Sequence, residues 1–258
     1  MHKKFHQLKK QYLALDLQQV IDYEKFSTIS IVWHSTKIKG CALTELDTKV
    51  LLEKDITAAG KPLQDHLMIK DHYAAFQYMK TQAKQKRKFS VEFLKQLGAL
   101  VMKHTGGFTN TALGSFDTSK GDLRLAQVYI TKKYFPNYQK VPRLLEQFCE
   151  AINTKIDTVT ADEVINLAAD VHYNFVNIHP FGDGRVARLL MNYIALYHDE
   201  PLIKMFTEDR TDYINALNEA EEQENIAIFR DFILSQEIKF LKAEIDKHKK
   251  LNKGFNFL

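Results

Sequence analysis

The stretch His179-Pro180-Phe181-Gly182-Asp183-Gly184-Arg185-Val186-Ala187-Arg188 lies between two segments with helical periodicity, and the fold is best read outward from it. Before it, apolar side chains recur every three or four residues over 164–178, and Thr160 with Glu163 has the spacing of a capping box. After it, the same spacing continues over residues 186–197. The sequence therefore predicts two buried helices joined by one short turn.

The turn has a backbone suited to an anion. A residue before proline is disfavoured in helical geometry, so the first helix is expected to end at His179 and to present its imidazole at the turn. Gly182 and Gly184 allow backbone conformations that other residues resist. The next helix begins directly after them, and free N–H groups at a helix N-terminus attract anions.

The side chains of the turn predict phosphate chemistry. Arg185 and Arg188 are three residues apart, so both guanidinium groups are expected to reach the same phosphates. Asp183 offers hard oxygen ligands of the kind that Mg²⁺ prefers beside phosphate. Together with a histidine that titrates near neutrality, this set suits transfer of a nucleotide phosphoryl group to a hydroxyl.

This stretch resembles the signature of the Fic family, H-P-F-x-[DE]-G-N-[GK]-R-x-x-R, and similarity extends over about residues 35–232. The resemblance implies an all-α fold, a Fic-type helical bundle with one small β-hairpin. It implies a protein adenylyltransferase that moves AMP from ATP, with Mg²⁺, to a Ser, Thr or Tyr hydroxyl of a target protein. His179 would deprotonate that hydroxyl, while Arg185 and Arg188 would hold the phosphates.

The turn is two residues shorter than the family signature, because three residues stand between Phe181 and Arg185 instead of five. If Asp183 takes the acidic position of the signature, the metal ligand is kept. The Asn-Gly half of the anion nest, the loop whose backbone N–H groups bind phosphate, is then lost. If residues 182–184 take the Gly-Asn-Gly place, the nest is kept and the metal carboxylate is lost. Each lost charge-assisted bond to phosphate is worth about 1.5–3 kcal/mol, so weak ATP binding or slow transfer is expected.

Three other functions therefore stay open for the same fold. A shortened loop is compatible with a catalytically impaired module that binds nucleotide or another protein. A different donor would give phosphorylation or phosphocholine transfer. Removal of AMP is disfavoured, because it requires a glutamate that this chain lacks at the motif described next.

Ser35-Thr36-Lys37-Ile38-Lys39-Gly40 resembles the N-terminal inhibitory motif [ST]-x-x-x-[EQ]-[GN] of many Fic proteins, with Gly40 expected to cap a helix. In the family, the motif glutamate pairs with the second arginine and obstructs the terminal phosphate. Lys39 stands at that position here, and a lysine cannot pair with Arg188. We therefore expect Ser35, Lys39 and Gly40 to form a regulatory segment without self-inhibition through that pair; an ordinary surface lysine is the alternative.

The remaining pattern predicts further helices and one hairpin. Residues 106–138 are expected to be a loop plus a β-hairpin, which resembles the family's flap over about residues 125–138. Val128 and Ile130 would contact the target there, although packing into the core explains the same alternation equally well.

The predicted division is an N-terminal helical region at 1–89, a Fic core at 90–235 and a lysine-rich helix or tail at 236–258. Helices are predicted at about 16–39, 44–53, 64–86, 90–104, 142–154, 208–222 and 225–250.

Composition limits the class of protein. A chain of 258 residues with 45% hydrophobic content can bury a full core. The net charge of +4 resides largely in residues 80–88 and 239–253, which indicates solvated helix faces rather than nucleic-acid binding. Two cysteines without metal spacing, no apolar leader and no long apolar run predict a cytoplasmic protein without membrane partners. ATP and a target protein are the expected partners, and a homodimer is allowed.

Overall fold

The chain folds as a helical bundle with two small hairpins. The computed structural model describes residues 1–17, 22–130 and 133–254. Within them, ten α-helices and two antiparallel two-stranded sheets follow one another. The helices are α1 (His2–Leu13), α2 (Tyr23–Lys39), α3 (Glu45–Lys54), α4 (Leu63–Lys84), α5 (Val91–Val101), α6 (Val141–Lys155), α7 (Val164–Ile178), α8 (Arg185–Tyr197), α9 (Arg210–Glu222) and α10 (Ala227–Gly254); the strands are β1 (Phe108–Thr111), β2 (Gly114–Asp117), β3 (Tyr129–Ile130) and β4 (Lys133–Tyr134).

Helix α8 is the centre of the bundle. Twelve of its thirteen residues are buried, and it packs against α7, α4, α2 and α5. Tyr193, fully buried on α8, lies edge-on to Phe89 and close to Phe93. Because α8 is enclosed by neighbouring helices along almost its whole length, the turn that precedes it is held by the core itself.

The predicted helices and the predicted β-hairpin are present, but the helix predicted from about residue 16 begins at Tyr23, and residues 18–21 of that prediction lie outside the described part of the structure. The hairpin is β3–β4, in which Tyr129 pairs with Tyr134 and Ile130 with Lys133. A second hairpin, β1–β2, lies in a stretch that was expected to be a loop. It was not predicted because its strands are exposed and lack an alternation of apolar and polar residues. Helix α1 was not predicted either, since it is strongly polar and buries only Phe5.

Two helix ends test the predicted caps. Gly40 ends α2 in the left-handed region with φ at 116°, as expected. The capping box predicted at Thr160 is wrong: α7 begins at Val164, and the Thr160 carbonyl already accepts the amide of Glu163 in a turn. The Thr160 hydroxyl donates to the Glu163 carboxylate instead. Among the described helices, none is both long and apolar enough to cross a bilayer.

Candidate functional site

The connection between α7 and α8 begins at His179, as the sequence predicts. This residue caps α7 in the left-handed region, with φ at 52° and ψ at 52°, and its amide donates to the carbonyl of Phe175. The backbone of a residue other than glycine is strained in this region, so the surrounding structure must hold His179 there. The strained residue is the one that carries the imidazole.

The His179 imidazole faces the turn rather than the core. Its ring stacks on Phe135, at 4.2 Å between centroids and 27° between planes. Its Nε2 lies 3.9 Å from the place where a Cβ on Gly182 would stand. Burial, and then the charge of Arg124, lower the pKa of His179 to about 4. The ring is therefore neutral at pH 7, with a lone pair that can accept a proton.

Arg124 holds the backbone of His179 in place. Its guanidinium is buried, and Nε donates to the His179 carbonyl at 2.9 Å. Nη1 donates to the carbonyl of Ala126 at 2.8 Å, and Nη2 donates to the carbonyls of Pro136 and Ile178. One side chain thus joins the end of α7 to both ends of the β3–β4 segment. The sequence gives no role to this arginine beyond its place within the region of similarity.

Phe181 anchors the turn on α5. The ring is buried, lies near Phe175, and its Cε2 and Cζ stand 2.9 Å from the place where a Cβ on Gly98 would be. Only a residue without a side chain allows this approach. Gly98 on α5 therefore allows the turn to pack closely against that helix.

The two glycines of the turn are required for different structural reasons. Gly182 has φ at 70°, so it needs the freedom predicted for it. Gly184 has ordinary right-handed helical geometry, so the prediction of unusual backbone is wrong there. A Cβ on Gly184 would stand 3.2 Å from Nη1 of Arg188 and 4.0 Å from the hydroxyl of Tyr213. A glycine is favoured at position 184 because it leaves space for the guanidinium of Arg188.

Asp183 is buried and surrounded by donors. Its Oδ1 accepts from the amide of Arg185 at 2.8 Å and from Nε of Arg185 at 3.0 Å. Its Oδ2 accepts from Nη2 of Arg185 at 3.1 Å and lies 3.2 Å from Nζ of Lys39. Burial pushes the pKa of Asp183 upward, but the charges of Arg185 and Lys39 outweigh it and hold this pKa well below its usual range. The carboxylate is ionised and also caps the first amide of α8.

The two predicted phosphate arginines are both buried, each with a different partner. Arg185 folds back onto Asp183, and its Nη1 is buried without a hydrogen-bond partner. Arg188 donates from Nε to Oγ of Ser35 and from Nη2 to the Ser35 carbonyl, both at 2.8 Å. The Tyr213 hydroxyl also contacts Arg188. Ser35 therefore covers the second arginine, a contact that joins residues 153 positions apart and that the sequence did not indicate.

The segment resembling the inhibitory motif does reach the site. Ser35 binds Arg188, and Lys39 on the last turn of α2 reaches Asp183 rather than Arg188. Gly40 ends the helix at this point. The regulatory role of these residues stays a prediction, but both polar contacts fasten the end of α2 to the turn.

The predicted target-binding residues lie beside the site on the flap. Val128 is half-buried just before β3, and its carbonyl accepts from the amide of Phe135 at 3.2 Å. Ile130 lies in β3, but its side chain is outside the described part of the structure. Lys133 ties the flap to α7 through Oδ1 of Asn177, at 2.6 Å. Their contact with a target stays a prediction.

The donors around Asp183 do not fit a divalent metal in this arrangement. Each carboxylate oxygen already faces two nitrogen donors, and three of these four donors belong to charged side chains. In the part of the chain that the structure describes, no group of three His, Cys, Asp or Glu side chains could hold a metal ion. An Mg²⁺ ion at Asp183 would have to replace Lys39 or lie next to its ammonium.

Comparisons with known proteins show which proteins this chain is similar to. The model of the Fic/DOC family matches residues 88–195. Protein adenylyltransferase Fic of Drosophila erecta is 28% identical over 193 residues, which cover 74% of this chain and 37% of that protein. The Drosophila willistoni protein is 27% identical over the same share of this chain. This chain thus spans little more than a third of the length of these relatives.

Solved structures show the same fold. A Fic domain-containing signaling protein from Bacteroides thetaiotaomicron superposes with a TM-score of 0.81 at 22% identity, covering 96% of this chain and 97% of that one. Fic-1 (residues 134–508) from C. elegans superposes with a TM-score of 0.79 at 22% identity, covering 97% of this chain and 72% of that one. Fic-family proteins generally use ATP and Mg²⁺. Residues 88–195 therefore form a Fic/DOC family domain, in a chain distantly homologous to protein adenylyltransferase Fic.

Proposed function

We propose that this chain transfers AMP from ATP to a hydroxyl group of a target protein. One observation supports this proposal above the others. A neutral imidazole, His179, faces a short turn that leads directly to the two guanidinium groups of Arg185 and Arg188. A proton acceptor beside a phosphate site is the combination that nucleotidyl transfer to a hydroxyl requires.

The charge around the turn favours a polyphosphate. Three cationic side chains, those of Arg185, Arg188 and Lys39, lie around a single carboxylate, that of Asp183. The cations lie near the start of α8, where the helix dipole adds positive potential. A triphosphate would relieve this excess charge, whereas a neutral or cationic ligand would not.

The proposed step uses the protein's own groups. The target hydroxyl gives its proton to His179 while its oxygen attacks the α-phosphorus of ATP. A new oxygen–phosphorus bond joins AMP to the target, and the bond between the α-phosphorus and its bridging oxygen breaks, so pyrophosphate leaves. Arg185 and Arg188 stabilise the charge that develops on the phosphates.

The flap is the proposed docking place for the target. Tyr129 and Tyr134 are exposed on β3 and β4, with ring centroids 4.4 Å apart. A short exposed hairpin can add a strand of target backbone to its edge, with Val128 and Ile130 as the proposed contacts. Phe135 on the same segment stacks on His179, so a target bound there would lie close to the base.

Two labels on ATP test the reaction. The full chain is incubated with a cell lysate and with ATP labelled on either the α- or the γ-phosphate. Protein labelled by the α-phosphate alone supports AMP transfer. Label from the γ-phosphate alone would indicate phosphorylation and would overturn the proposal, as would no label from either nucleotide in a preparation that binds ATP.

A pair of histidine variants shows whether the label depends on this site. His179→Ala should abolish labelling, because the variant lacks the proposed proton acceptor. His2→Ala, an exposed histidine at the start of α1, should label as the unchanged chain does. Equal labelling by the two variants would contradict the role of His179.

A nucleotide-binding or protein-interaction module is the second candidate. It is favoured by a specific contact, because Ser35 already occupies Arg188 and the turn is two residues short of the family signature. Such a protein would bind ATP and leave every partner unlabelled. Titration calorimetry on the preparation used for labelling separates the two candidates.

A further inference from the structure

The ammonium group of Lys39 lies at the one carboxylate of the site. Nζ of Lys39 is 3.2 Å from Oδ2 of Asp183. The carboxylate side chain is 4% exposed, whereas the lysine side chain is 42% exposed. Gly40 ends α2 directly after Lys39, which fixes the direction in which the lysine leaves the helix. The cation is therefore bound on one side and open to solvent on the other.

Asp183 has little capacity left for another cation. Arg185 supplies three N–H donors to its two oxygens, and Lys39 supplies the fourth donor. An ammonium carries three hydrogens, so Lys39 keeps donors for a further acceptor after it has bound Asp183. The exposed side of Lys39 is thus equipped to hold phosphate oxygens.

A divalent cation beside phosphate has two tasks at such a site. It neutralises phosphate charge, and it bridges the phosphate oxygens to a protein carboxylate. Lys39 already supplies a positive charge and already contacts the carboxylate. A metal ion placed at Asp183 would meet like charge from both Lys39 and Arg185.

We propose that Lys39 takes the place of a divalent cation at Asp183, so that this site binds the triphosphate of ATP without metal. The inference rests on the proposed function, because it assumes that the turn binds ATP. It concerns binding, and its test does not require turnover.

Calorimetric titration of the full chain with ATP tests the proposal directly. One titration contains excess EDTA, and the other contains saturating MgCl₂. We expect dissociation constants that agree within about threefold, a difference of less than about 1 kcal/mol. ATP binding that appears only with MgCl₂ would overturn the inference and leave the proposed function standing. Absence of ATP binding in both titrations would overturn the function and the inference together.

Two lysine variants give the matched comparison. Lys39→Met keeps an unbranched side chain of nearly the same length and removes its charge. Its affinity for ATP in EDTA should fall about tenfold to a hundredfold, and MgCl₂ should recover most of that loss, because the ion can take the place of the ammonium between Oδ2 of Asp183 and the phosphates. Lys37→Met removes the same charge from the same helical turn and should bind ATP as the unchanged chain does in both buffers.

The variants also separate a metal substitute from a passive lysine. If Lys39→Met binds ATP in EDTA as tightly as Lys37→Met does, Lys39 contributes nothing to the phosphate site and the inference is wrong. A loss for Lys39→Met that MgCl₂ does not reduce would also overturn it, because the lysine would then not share its position with the metal.

Discussion

Replacement of Gly98 by alanine tests how the turn is held. In a helix, a glycine-to-alanine change normally stabilises by about 0.8–1.0 kcal/mol. Here the new methyl group would stand 2.9 Å from both Cε2 and Cζ of Phe181, whereas carbon atoms normally approach no closer than about 3.5 Å. Overpacking of this kind costs about 1–3 kcal/mol. The net expectation is a loss of about 0–2 kcal/mol in the free energy of unfolding.

Urea unfolding followed by circular dichroism measures this change. ATP binding by the same variant should weaken, because a displaced Phe181 carries the turn with it. Gly107→Ala is the control, since nothing lies within 4 Å of its new methyl group and its φ is not positive. A Gly98→Ala protein that gains the usual helical stability and binds ATP normally would refute the anchoring role of Phe181.

Three further changes have expected outcomes. Arg124→Lys should lower the free energy of unfolding by about 2 kcal/mol or more in urea unfolding, because an ammonium cannot reach four separated carbonyls; a neutral effect would contradict the clamp. Ser35→Ala should tighten ATP binding in calorimetry by removing the hydroxyl that accepts from Nε of Arg188, and an unchanged affinity would show that this hydroxyl does not compete with phosphate. Burial lowers the pKa of His34 to about 4 and that of His172 to about 3, so the unfolded chain takes up protons first as the pH falls below about 6.5. The free energy of unfolding should therefore be lower at about pH 5 than at about pH 7, and equal values would contradict the neutral buried state.

The sequence predicts those features that arise from neighbours along the chain. Apolar spacing locates α7 and α8, and His179 is found at their junction because proline follows it. Gly40 ends α2 for an equally local reason. The prediction for Thr160 fails because two local hydrogen bonds compete for one amide, and spacing alone does not tell which of them forms.

Contacts between distant segments are what the sequence does not reveal. Arg124 binds a carbonyl 55 residues away, and Ser35 binds a guanidinium 153 residues away. A backbone carbonyl is present at every residue, so no residue type marks the acceptor of a buried arginine. No partner was predicted for Lys39 beyond its inability to pair with Arg188, and the packing of α2 on the turn brings its ammonium to Asp183.

The two contacts at the end of α2 differ in what a nucleotide would do to them. Arg188 is buried, and its Nε and Nη2 are bound to Ser35, so a phosphate can take these two donors only by replacing the serine, and the end of α2 must then shift. Lys39 is partly exposed and retains free donors, so it can hold Asp183 and a phosphate together. The same helix therefore opposes ATP at one residue and attracts it at another. The balance between Ser35 and Lys39, rather than a carboxylate–arginine pair, would set the affinity of this site for nucleotide.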